Sequence, residues 1–174
     1  MAVTVRPTIM LETGMPPARP HGPRPRRGAP DDTRARLVAA AATIFNRDGY
    51  HHTDSNRIAR AAGYAPGTFY KHFPDKRAIF LAVYDAWVTA EWAELGERLA
   101  NAINATHTIV TRTIDYHRRW RGFRASLHSL VATDPVVRRA YQKQRRRQLA
   151  QIATLRAGMG LAPLPPAHGA LVLF

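Results

Sequence analysis

Seven consecutive residues, Pro66-Gly67-Thr68-Phe69-Tyr70-Lys71-His72, bring together hydrogen-bonding side chains, a cation and a glycine small enough to admit another backbone. On a helix, Phe69 and Phe73 lie four residues apart and point into the protein, which leaves Gly67, Thr68, Tyr70, Lys71 and His72 at the outer surface. Pro66 suits the first position of that helix, where its missing N–H costs nothing. Upstream, Asp54 can cap a second, shorter helix that opens with Ser55 and Asn56 and carries Ile58, Ala59 and Ala62 as a narrow apolar face. Gly63 tolerates the left-handed backbone that ends a helix, so the turn between the two spans about three residues. Two short helices joined in this way are how a helix-turn-helix places its second helix in the major groove of DNA. In that scheme Lys71 and Lys76 serve phosphates, and Thr68 and Tyr70 hold the register on the DNA backbone. Asn56 or His72 reaches base edges, and Ser55, Pro66 and Gly67 complete the surface.

These residues need a scaffold, and the flanking sequence predicts one. Leu37, Ala40, Ala41, Ile44 and Phe45 repeat at helical spacing in a helix capped by Asp32 or Thr33 and ended by Gly49. A fourth helix is predicted from Asp75 to about Leu99, with Ile79, Phe80, Val83 and Trp87 along one side. Further helices are predicted over 106–118, 120–131 and 134–156, the last capped by Asp134 with Pro135 at its first position. No strand alternation appears, so the fold class is all-α.

The run Gly49-Tyr50, Thr53, Ile58-Ala59, Ala61-Ala62-Gly63, Gly67-Thr68-Phe69-Tyr70, His72-Phe73 and Lys76 resembles the TetR family of bacterial transcriptional regulators over roughly residues 33–83. Two positions depart from the usual pattern: Tyr64 replaces a small aliphatic, and Ala65 stands where Ser usually caps the recognition helix. The resemblance implies an N-terminal three-helix DNA-binding domain over 31–78 and a helical domain over 79–174 that binds an effector and dimerises. It also implies a repressor that leaves double-stranded operator DNA when a small molecule enters the second domain. Trp87, Tyr116, Trp120, Phe123 and Leu127, with Trp92 nearby, are candidates for an apolar effector pocket or for ordinary core. The family usually adds two long helices that build a homodimer interface. Here only an apolar run follows Pro166, so the second domain is expected to be incomplete and the dimer weak.

Composition fits a polyanion binder. Lys and Arg number 26 against 12 Asp and Glu, for a net charge of +14. The charge does not locate the site, because residues 31–80 carry only eight bases against five acids. The alternative this leaves is a sequence-indifferent nucleic-acid binder. Residues 1–30, with seven prolines and five arginines, read as a disordered basic arm in which Arg24, Arg26 or Arg27 is available to a groove. The absence of cysteine removes thiolate zinc sites and disulfides. His107, His117 and His128 lack chelating spacing, and Arg145-Arg146-Arg147 reads as a solvated helix face. No metal, cofactor or catalytic motif is legible. With no apolar run of membrane-spanning length, a cytoplasmic location is expected.

Overall fold

The computed structural model describes residues 30–101, 114–163 and 165. Three helices come first: α1 (Pro30–Asp48), α2 (Ser55–Ala61) and α3 (Pro66–His72). A long α4 (Lys76–Asn101) follows, then α5, described over residues 114–119, α6 (Arg121–Thr133) and α7 (Pro135–Gly158). Every regular element among the described residues is helical, and the fold is all-α. No helix among them is long and apolar enough to cross a membrane. The arm before Pro30, the first part of the helix predicted at 106–118, and the apolar run after Pro166 lie outside the described residues.

Most helix ends follow from local chemistry. The α1 helix begins at Pro30, earlier than predicted. Asp31 and Asp32 therefore lie in its first turn, where the helix dipole favours them, and Thr33 is buried rather than capping. Asp75 supplies the cap for α4, its carboxylate accepting the Ala78 N–H at 2.7 Å. Asp134 does the same for α7, accepting from Val136 at 2.8 Å and Val137 at 3.3 Å. At the end of α7, Gly160 takes φ +68°, and the Gly160 and Leu161 amides donate back to Ala157 and Arg156.

One continuous core joins the helices. Leu37, Ala41, Ile44 and Phe45 of α1 face Ile58, Ala59, Phe69 and Phe73 below and Ile79, Phe80 and Val83 of α4 beside them, whereas Ala40 is only half-buried. Phe80 is its hinge point. Its ring lies 5.2 Å from both Phe45 and Tyr50 and 4.9 Å from Phe123 of α6, and contacts of this kind add about 0.5–1.5 kcal/mol each beyond burial. Packing thus runs unbroken across the 78/79 boundary that the sequence suggests.

Candidate nucleic-acid interface

The α2–turn–α3 unit is built as its residues require. Asp54 Oδ1 accepts the Arg57 N–H at 2.8 Å and caps α2. At the other end Gly63 adopts φ +84°, its amide donating to Arg60 O at 3.0 Å and the Tyr64 amide to Ala59 O at 2.9 Å. That paired closure is the Schellman motif, and it sets the angle at which the chain leaves α2. Ala65 then takes the N-cap position of α3 with extended backbone and no side-chain hydrogen bond, and Pro66 opens the helix. With no capping side chain, α3 is held mainly by its buried face. Phe69 is fully buried, Phe73 nearly so, their rings lie 5.8 Å apart, and the Arg34 guanidinium covers Phe73 at 5.0 Å.

The opposite face of α3 is open. Pro66, Gly67, Tyr70 and Lys71 are exposed, Tyr70 by 56%, while Thr68 and His72 are half-buried. Gly67 has no internal reason to be glycine: its φ is not positive, and an added Cβ would meet nothing within 4 Å. Asn56 is exposed at the start of α2, and its carbonyl accepts from Arg60 Nε at 3.3 Å.

Two sequence assignments need correction. Ser55 is buried, packed on the inner side of α2, and its side chain does not belong to the outer surface. Lys76 is not a free surface cation. Its Nζ donates to Tyr50 O and Thr53 O, both at 2.9 Å, and lies 4.3 Å from the Tyr50 ring centre. Burial pushes its pKa down, with the Asp54 charge opposing. Lys76 therefore clamps the loop between α1 and α2 instead of standing ready for a phosphate. Arg57, which sequence reasoning passed over, fastens the same loop through Asp48 Oδ2 at 2.6 Å and His52 O at 3.0 Å. The Arg47 hydrogen bond, with the charges of Arg47 and Arg57, holds Asp48 below the usual carboxylate range.

The five residues suggested for an effector pocket do come together, across α4, α5 and α6. Trp87 stacks on Tyr116 at 6.0 Å and meets Phe123 at 6.1 Å, Trp120 packs edge-on to Phe123 at 5.9 Å, and Leu127 is buried with them. The Tyr116 hydroxyl donates to Trp87 O at 2.9 Å. Polar groups line one side. His117 Nε2 lies 3.5 Å from Glu91 Oε1, and Trp87 Nε1 and His117 Nδ1 are buried without a hydrogen-bond partner. Burial raises the pKa of Glu91 against the pull of Arg145 and Arg124; burial and those same two charges lower that of His117. Among the described residues, no three His, Asp or Glu side chains converge as a metal site would need.

Part of this chain is similar in sequence to known proteins. Residues 37–83 match the profile described as bacterial regulatory proteins, tetR family. The HTH-type transcriptional regulator TcmR of Streptomyces glaucescens is 36% identical over 91 residues, 51% of this chain and 40% of that protein. UidR of Escherichia coli (strain K12), also an HTH-type transcriptional regulator, is 37% identical over 51 residues, 29% of this chain and 26% of its own. The HTH-type transcriptional activator FasR of Mycolicibacterium smegmatis is 30% identical over 91 residues, 52% of this chain and 36% of its own. These matches span two fifths or less of each relative, and the profile match over residues 37–83 holds the whole α2–turn–α3 unit with its buried Phe69 and Phe73 and its open outer face. Over residues 37–83 the chain is similar to the tetR family of bacterial regulatory proteins.

Proposed function

We propose that this chain is a sequence-specific DNA-binding transcriptional regulator that reads double-stranded operator DNA with the outer face of α3. The observation that carries the reading is the division of α3 into two faces. Phe69 is sealed in the core, while Tyr70 and Lys71 project outward beside a glycine that the protein's own packing does not require. A bare α-carbon at Gly67 lets a phosphate backbone approach, Lys71 supplies charge, and Tyr70 and Thr68 supply hydroxyls that fix register. Asn56 and His72 are the candidates for base edges. The finer part of the proposal is that the protein is a repressor, released when a small molecule occupies the aromatic cluster around Trp87, Tyr116, Trp120, Phe123 and Leu127. The burial of Trp87, Tyr116, Phe123 and Leu127 between α4, α5 and α6, with Trp120 half-buried against them and unpaired polar atoms alongside, supports it.

Selection of duplexes from a random pool by the full chain tests the reading. A defined consensus is expected, and retention of unrelated sequences with equal affinity at fixed salt would favour the sequence-indifferent alternative. Two half-sites roughly 34–36 Å apart in the consensus would report a homodimer, and a lone half-site a monomer.

A further inference from the structure

The corner between α5 and α6 is held by a residue of α1. Trp120 occupies the N-cap position of α6 and makes no side-chain capping bond, since an indole offers no acceptor. Asn46, in the last turn of α1, supplies the missing cap from another helix. Its Oδ1 accepts the Phe123 N–H at 3.1 Å, the third helical amide that a cap residue ordinarily serves. Its Nδ2 donates to the carbonyl of Arg119, at the end of α5, at 2.7 Å. Gly122 permits the approach: a Cβ there would lie 1.9 Å from Asn46 O. Farther along α6, Ser126 Oγ accepts the Tyr50 N–H at 3.0 Å, immediately after Gly49 turns the chain with φ +81°.

The joint has a route on either side. Toward α2 and α3, Tyr50 begins the loop that Lys76 and Arg57 fasten. Toward the second domain, Trp120 and Phe123 flank the corner and belong to the aromatic cluster. The joint also needs an amide. One side chain must accept from Phe123 and donate to Arg119, and Asp would lack the donor.

We propose that Asn46 is a positioning residue for DNA reading: by capping α6 from α1 it sets how the α1–α3 head is held, and it makes the first turn of α6 the place where head and aromatic cluster register each other's state. The proposal rests on the reading of α3 as the DNA-binding helix. Coupling between two sites is reciprocal, so occupancy of α3 by DNA must change the exposure of amides in α6, which lies outside the proposed reading surface.

Amide hydrogen exchange on the full chain, with and without a duplex recovered by the selection above, tests it. In the unmodified chain the duplex is expected to change exchange over residues 121–127 by about fivefold or more, the lower end of typical coupling. In Asn46→Ala and Asn46→Asp the duplex should bind more weakly, and with the duplex at saturating concentration the change over 121–127 should fall below about twofold. Asn46→Asp keeps the acceptor for Phe123 and so preserves helix α6 if Asn46→Ala does not. A response confined to residues 66–77 in the unmodified chain, full transmission in both variants, or loss of folding in both would overturn the proposal. Failure of the unmodified chain to retain any duplex would instead sink the DNA-reading function, and the joint's role with it.

Discussion

Replacing Lys76 by Met isolates the loop clamp, because methionine keeps an unbranched stem while removing the ammonium. The structure sets the magnitude. Two hydrogen bonds from a charged donor, to Tyr50 O and Thr53 O, are lost together, each worth about 1.5–3 kcal/mol. The contact with the Tyr50 ring adds about 0.5–1 kcal/mol. Against this stand the relief of a desolvated ammonium, visible in its lowered pKa, and the recovery of water by carbonyls in a half-exposed site. A net loss of about 2–3 kcal/mol remains. At about 2–4 °C per kcal/mol for a chain of this length, the melting temperature should fall by about 4–12 °C. Thermal melts followed by circular dichroism give that number, and the salt dependence of duplex binding, measured well below the melt, gives the second readout. The slope should not change, since the clamp makes no phosphate contact. An unchanged melting temperature together with a slope smaller by about 0.9 would refute the clamp and return Lys76 to the phosphates.

Three further outcomes are expected. Ala65→Ser should raise stability by about 0.5–1 kcal/mol in a urea melt by giving α3 the side-chain cap it lacks, and lower stability would mean that the hydroxyl is buried without a partner. Gly67→Ala should leave the melt unchanged or slightly raised, since its Cβ meets nothing, yet weaken duplex binding; unimpaired binding would place the DNA away from the start of α3. The third concerns acid. Asp134 is partly desolvated, which raises its pKa, but the Val136 and Val137 amides and Arg77 together hold it low, so its contribution is full above the unfolded carboxylate value near 4 and fades as pH falls toward the folded one. Glu91 runs the other way: its raised pKa means a penalty absent in acid that grows as pH rises through the folded value. Glu91→Gln should therefore stabilise the chain at pH 7 relative to the unmodified protein, with the difference shrinking by pH 4, and a constant difference in melts across that range would contradict this.

Helix α3 is legible in the sequence because each of its determinants is local. A glycine with positive φ at 63, a proline at 66 and two phenylalanines four apart specify a turn and a buried face without reference to anything distant. The missing cap at Ala65 was legible for the same reason. Lys76 and Ser55 were misassigned because exposure depends on where the loop between α1 and α2 folds back, and that loop is fastened by backbone carbonyls that carry no sequence signal. Asn46 was invisible on equal grounds, since its partners at Arg119 and Phe123 lie more than 70 residues away. The start of α1 was placed late because two aspartates and a threonine all resemble caps, and Pro30 at the first helical position outranked them. The aromatic cluster could be assembled from helical spacing, but the sequence did not reveal that its indole and imidazole nitrogens would be buried unpaired.

The most direct test of the central claim compares the full chain with the double variant Tyr70→Phe, Lys71→Ala on a selected duplex and on a scrambled duplex of the same composition, by fluorescence anisotropy across a salt series. The unmodified chain should prefer the selected duplex by about 10³-fold or more. The double variant should lose most of that preference and about 0.9 of the salt slope, with its helical circular dichroism unchanged. Equal affinity of the unmodified chain for both duplexes, or full preference retained by the variant, would contradict the assignment of DNA reading to the outer face of α3.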